Sequence, residues 1–129
     1  MSNIVEREHA IKQISAALQE LHKHLLHYQA EQIGFDGGPM QLFDHATKNR
    51  AFAWLQPLRD TIVEIDERRA DKIPISVEEA DAFLSRVSII MEPDTGAFRA
   101  NLNAAFQTKP EVVSSYGDVK RTLAALPRA

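Results

Sequence analysis

The chain has 129 residues, 44% of them apolar and 26% charged, with a net charge of −3. That suits one globular domain able to bury roughly two-thirds of its unfolded surface, and it excludes a disordered composition. The absence of cysteine excludes disulfide frameworks, thiolate metal sites and cysteine nucleophiles, and the acidic balance argues against nucleic acid as a partner.

The first segment runs from about Asn3 to Ile33. Ser2 or Asn3 can cap it, and Glu6 stands where a capping-box partner of Asn3 belongs. The start has no basic region followed by an apolar one, so it does not read as a secretory signal. No window approaches the ~20 apolar residues that span a bilayer. The chain therefore reads as cytoplasmic, with no membrane partner. Ile11, Ile14, Leu18, Leu21, Leu25 and Tyr28 step 3-4-3-4-3, which lays one apolar stripe along a helix ~45 Å long. Gly34 supplies its stop. Neighbouring helices are expected to cover ~30 Å of this helix, leaving the rest to project or to meet a second copy.

Gly34 to Pro39 reads as a loop, without the Gly-Lys-Ser/Thr ending of a phosphate-cradling turn. Met40 to Thr47 reads as a short helix with Leu42 and Phe43 as its apolar contacts. Asn49 to Ala70 follows, with Ala51, Leu55, Leu58, Ile62 and Ile65 stepping 4-3-4-3. Pro57 lies inside it, so a kink or break is expected there. Glu64 and Arg68 are spaced as an i,i+4 pair.

Ser76-Val77-Glu78-Glu79 is a capping box. The helix behind it buries Ala80, Phe83, Leu84, Val87, Ile90 and Met91. Glu92 to Gly96 ends that helix and offers the next cap. Phe98, Leu102, Ala105 and Phe106 fit about three turns. Pro110 can open the last helix, where Val112, Tyr116, Val119, Leu123 and Leu126 repeat the 4-3-4-3 step before Pro127 stops it. Nothing alternates with period two. The expected fold is all-α: one domain over 1–129, a bundle of four principal helices with short helices between them.

Phe52-Ala53-Trp54-Leu55-Gln56-Pro57-Leu58, followed by Ile62-Val63-Glu64-Ile65-Asp66-Glu67, resembles a group of uncharacterised bacterial helical proteins. Those share an F-A-W-L-x-P-L … I-V-x-I-D-E pattern. The likeness extends back through Leu21–Tyr28, Gly38-Pro39 and Gln41-Leu42-Phe43, over roughly residues 18–68. It implies a helical fold and no particular chemistry.

Chemistry is invited mainly by the histidines. Glu20, His24, His27 and Glu31 fall within about 60° of arc on one face of the first helix. Two imidazoles and two carboxylates there can ligate a divalent metal, with His45 as a third imidazole if the fold brings it close. Against this, Glu20–His24 and His27–Glu31 are ordinary i,i+4 pairs of a wet helix face, and no Glu-x-x-His or His-Glu-x-x-His signature is present. His22, on the other flank of the stripe, reads as a buried neutral core histidine. Asp66 reads as a helix–helix hydrogen-bond acceptor, with Arg59 or Arg86 as partner. No serine lies in Gly-x-Ser-x-Gly or Ser-x-x-Lys.

No catalytic residue is therefore assigned. The leading reading is a non-catalytic interaction or accessory protein acting as a homodimer, because a stripe so long needs a partner along its length. The alternative is a bundle that binds a small molecule or metal. Its pocket would lie between the first helix and the segment at Pro57, near Tyr28, Phe52 and Trp54.

Overall fold

The computed structural model describes residues 4–92 and 96–125, apart from the side chains of Ile4, Pro39, Phe43 and Thr47. Among them are six α-helices: α1 (Ile4–Gln32), α2 (Pro39–Lys48), α3 (Gln56–Ala70), α4 (Val77–Met91), α5 (Ala97–Thr108) and α6 (Pro110–Ala125). A 3₁₀ segment, Arg50–Leu55, joins α2 to α3. The caps expected at Ser2, Asn3 and Pro93–Thr95, and the stop at Leu126–Pro127, lie outside the described residues, as does the side chain of Phe43.

The four principal helices α1, α3, α4 and α6 alternate in direction, and cross-helix bonds fix that order. Ser15 Oγ donates to Asp66 Oδ1 at 3.0 Å, while Trp54 Nε1 donates to Gln29 Oε1 at 2.9 Å, so α3 runs back down α1. Arg68 grips Glu79 and Arg86 reaches Thr61, so α4 runs back up α3. Lys109 meets Glu31 at 2.6 Å, placing the start of α6 beside the end of α1. α1 packs on α3, α4, α5, α6 and the 3₁₀ segment, most extensively on α6.

Each boundary has a local cause. Gly34 takes φ +67°, the left-handed conformation that ends a helix, and the amides of Gly34 and Phe35 return to the carbonyls of Glu31 and Ala30. Asn49 closes α2 and opens the 3₁₀ segment, its Oδ1 accepting from Ala51 N at 2.8 Å. Pro57 lies in the first turn of α3, where its missing N–H costs nothing. The expected break at Pro57 is therefore real but falls at Leu55–Gln56, and everything before it is wound as 3₁₀. α6 opens on Pro110 as expected.

The capping box at α4 is complete. Ser76 Oγ accepts from Glu79 N at 3.1 Å, and Glu79 Oε1 accepts from Ser76 N at 3.2 Å. Glu79 also takes two bonds from Arg68, whose guanidinium spans to the carbonyls of Ile73 and Pro74. Those bonds, led by Arg68, hold the Glu79 carboxyl down at about 2. Ser76→Ala is expected to cost ~1 kcal/mol, read from the urea midpoint; no shift would sink the cap's assigned role.

Two expected ion pairs are replaced. Arg68 pairs with Glu79 rather than Glu64, and Glu64 pairs with Arg86 instead. Asp66 is a helix–helix acceptor, but its donors are Ser15 and Gln19 of α1, not Arg59 or Arg86. The exposed carboxylate of Asp66 thus takes neutral donors from α1.

The reach of the α1 stripe also needs correcting. Ile11, Ile14, Leu18, Leu21 and Leu25 are wholly buried and Tyr28 nearly so. From Ile11 to Tyr28 is only ~26 Å, shorter than the helix itself, and the chain's own helices cover it throughout. The turn before Ala10 carries Arg7, Glu8 and His9, which need no apolar cover. Instead Arg7 Nε donates to Ile75 O, and Glu8 Oε1 accepts from Ile75 N, both at 3.0 Å. The demand for a partner along the stripe disappears.

Candidate functional site

The histidine face does not converge. His24 Nε2 lies 3.5 Å from Glu20 Oε1, the expected i,i+4 pair. His27 is exposed, and Glu31 turns to Lys109 instead of His27. His45 is held elsewhere, stacked on Phe35 at 4.9 Å, edge-on to Phe52 at 5.9 Å, and 2.8 Å from Asn49 Nδ2. No group of three or more His, Asp or Glu side chains among the described residues is placed to hold a metal ion. The residues therefore do not fit the metal reading.

The three aromatic candidates also part company. Tyr28 is buried in the core. Trp54 is half-buried, tied to Gln29 and tilted against Phe98 at 5.8 Å. Phe52 lines a recess.

That recess arises where the chain turns from α2 through the 3₁₀ segment into α3. The tighter 3₁₀ winding and the restart at Gln56 place Phe52 and Leu55 inward against α1 while Arg50, Gln56 and Arg59 ring the corner. Beneath lies a cavity of about 10 Å³ walled by His22, Leu26, Ala46, Phe52, Leu55, Gln56 and Arg59. It has room for about one water. Outside it, sharing Ala46, Phe52, Gln56 and Arg59, a groove of about 180 Å³ is bounded by Lys48, Asn49, Arg50 and Ala53.

The charge in this corner is one-sided. Lys48, Arg50 and Arg59 line the groove and no carboxylate does. Lys48 is partly neutralised by Asp44, 3.1 Å away. Neither Arg50 nor Arg59 has a hydrogen-bonded or ion-paired partner among the described residues. Arg59 is half-buried, so part of its hydration is lost without a counter-charge replacing it. Behind it, burial first and the Arg59 charge second push the His22 imidazole down to about 4. His22 is therefore neutral near pH 7, as expected of a core histidine, but it stands half-buried at the cavity wall rather than within the core.

Asn49 is tied into the protein by its Oδ1, which accepts from Ala51 N, and by one of its two Nδ2 hydrogens, which meets His45 Nε2. The corner is equipped to hold negative charge. It presents no nucleophile paired with a base. The sequence points to a pocket between α1 and the Pro57 segment near Tyr28, Phe52 and Trp54; of these, Phe52 lines both the cavity and the groove. Arg50 and Lys48 carried no signal, because a lone cation on a short helix looks like any solvated charge. Arg59 was visible only as a partner for Asp66.

No family model, curated protein or solved structure matches the chain. No helix among the described residues is long and apolar enough to cross a membrane.

Proposed function

We propose that the chain is a non-catalytic binding bundle whose working surface is the groove between α2, the 3₁₀ segment and α3. One observation carries this reading: two guanidiniums without protein partners, one half-buried, line a recess that no carboxylate lines. Bundles place ligands between helices, and a few polar groups in an apolar setting fix orientation. Trp54 lies two residues beyond Phe52, so a ligand resting on the 3₁₀ segment should disturb its fluorescence. A panel of small charged and neutral molecules is expected to yield a compound that changes Trp54 emission. At a hundred times its Kd it should add about 2.7 kcal/mol of stability. Silence across the panel, or a response undiminished by Arg59→Ala, would sink the reading.

A homodimeric accessory protein is the second reading, and it now needs a surface other than the α1 stripe. Val5 and Ile73 offer one. They are 75% and 68% exposed, and both flank the contact of Arg7 and Glu8 with Ile75 at one end of the bundle. Light scattering at micromolar concentration that gave a mass near 14.5 kDa would count against it.

A further inference from the structure

We infer that the groove at the α2–α3 corner takes a small dianion, the phosphate group of a low-molecular-weight phosphate or free phosphate itself. The inference rests on the groove being the binding surface and goes on to name the chemistry of its occupant.

Charge comes first. Three cations line the groove, Asp44 engages Lys48, and the two arginines are left over. Two uncompensated guanidiniums match a group carrying about two negative charges near pH 7, as a phosphate monoester does. Guanidinium forks also suit its geometry, since each can present two parallel N–H donors to two oxygens. The surplus is not a product of overall composition, because the chain as a whole is acidic at −3.

Surroundings come second. Phe52, Ala46 and Ala53 supply the apolar part of a lining that is otherwise polar, and Arg59 is half-buried against it. The imidazole nearest Arg59 is neutral, so it neither adds to nor cancels the local positive field.

Size comes third. A groove of about 180 Å³ admits a phosphate with a short organic part. The cavity behind it, about 10 Å³, is too small for a tail. The ligand is therefore gripped by its charged end and its remainder points to solvent. A nucleic-acid strand would need a longer run of cations than three, one of them already paired.

The test is titration calorimetry on the full chain with inorganic phosphate, glycerol 3-phosphate, malonate and glycerol. Saturable binding of both phosphates is expected, with none of glycerol. Inorganic phosphate binding as well as the ester would identify the source as free phosphate, and preference for the ester a phosphorylated metabolite. Arg59→Ala and Arg50→Ala should each weaken binding about tenfold or more. Arg59→Lys should recover only part of the loss, because the charge returns without the fork. Arg121→Ala is the control, since Arg121 sits on α6 and pairs with Asp118; it should leave affinity unchanged. Circular dichroism confirms folding of each variant. Equal losses in Arg121→Ala and Arg59→Ala, or malonate binding as tightly as the phosphates, would overturn the inference. A neutral panel compound lost on Arg59→Ala, with phosphate silent, would overturn the dianion and leave the groove standing. Silence of every compound would overturn both.

Discussion

Replacing Leu21 with alanine should cost 2–5 kcal/mol, the range for emptying a buried leucine site. Leu21 is wholly buried midway along α1, where the surrounding helices cannot easily collapse into the space it leaves. Domains of this kind have only about 5–15 kcal/mol to lose, so the variant should melt many degrees lower. Val5→Ala removes a side chain that is 75% exposed and should change stability by less than about 0.5 kcal/mol. The same melts address how the stripe is covered. If α1 is buried by its own chain, Tm is constant over about a hundredfold range of protein concentration; a dimer formed along the stripe would make Tm rise with concentration. A Leu21→Ala loss below ~1 kcal/mol would contradict the packing described.

Acidification should weaken the fold well before the carboxylates protonate. His22 has a pKa of about 4 in the folded chain against 6.5 for a free imidazole. Between those values the unfolded chain holds a proton that the folded chain refuses. Stability is therefore complete above the unfolded value and falls as pH drops toward the folded one. The loss approaches about 3 kcal/mol. Arg59 is the charged group that faces His22 across the cavity, and it acts in the same direction as burial. A second loss follows at lower pH, because Glu79 at about 2 gives up its bonds to Arg68 and Ser76 when protonated. His22→Leu should remove the first loss and spare the second. Urea midpoints at neutral pH and at the lower edge of the His22 window measure it, and an unaltered pH profile in His22→Leu would refute the assignment.

The helices were legible because their apolar residues recur at helical spacing and their ends carry recognisable chemistry. Gly34, Pro110 and the Ser76–Glu79 box act as their types and positions predict. Pro57 was legible as an interruption but not as a helix start, because a proline signals a lost N–H without saying on which side the helix lies. The stripe of α1 was read correctly residue by residue, and its need for a second chain was not: helix length was taken for stripe length. The candidate site was harder to see. Groove residues Lys48, Arg50, Gln56 and Arg59 come from three elements and share no periodicity, and only the turn through the 3₁₀ segment brings them together. The histidines drew notice through their spacing on one helix, yet ligation needs convergence from several elements, and His45 is held by Phe35 and Asn49 instead.

The broadest packing of α1 is against α6, the last helix of the described chain. During synthesis, then, the first helix emerges with its apolar side bare and waits until residues near 125 have been made. α3 and α4 can shelter part of it in the interval, yet closure of the bundle is a late and long-range event. Until α6 is made, the part of α1 that it covers has no apolar shelter of its own. Truncation inside α6 should therefore harm yield far more than the loss of a surface helix of equal size.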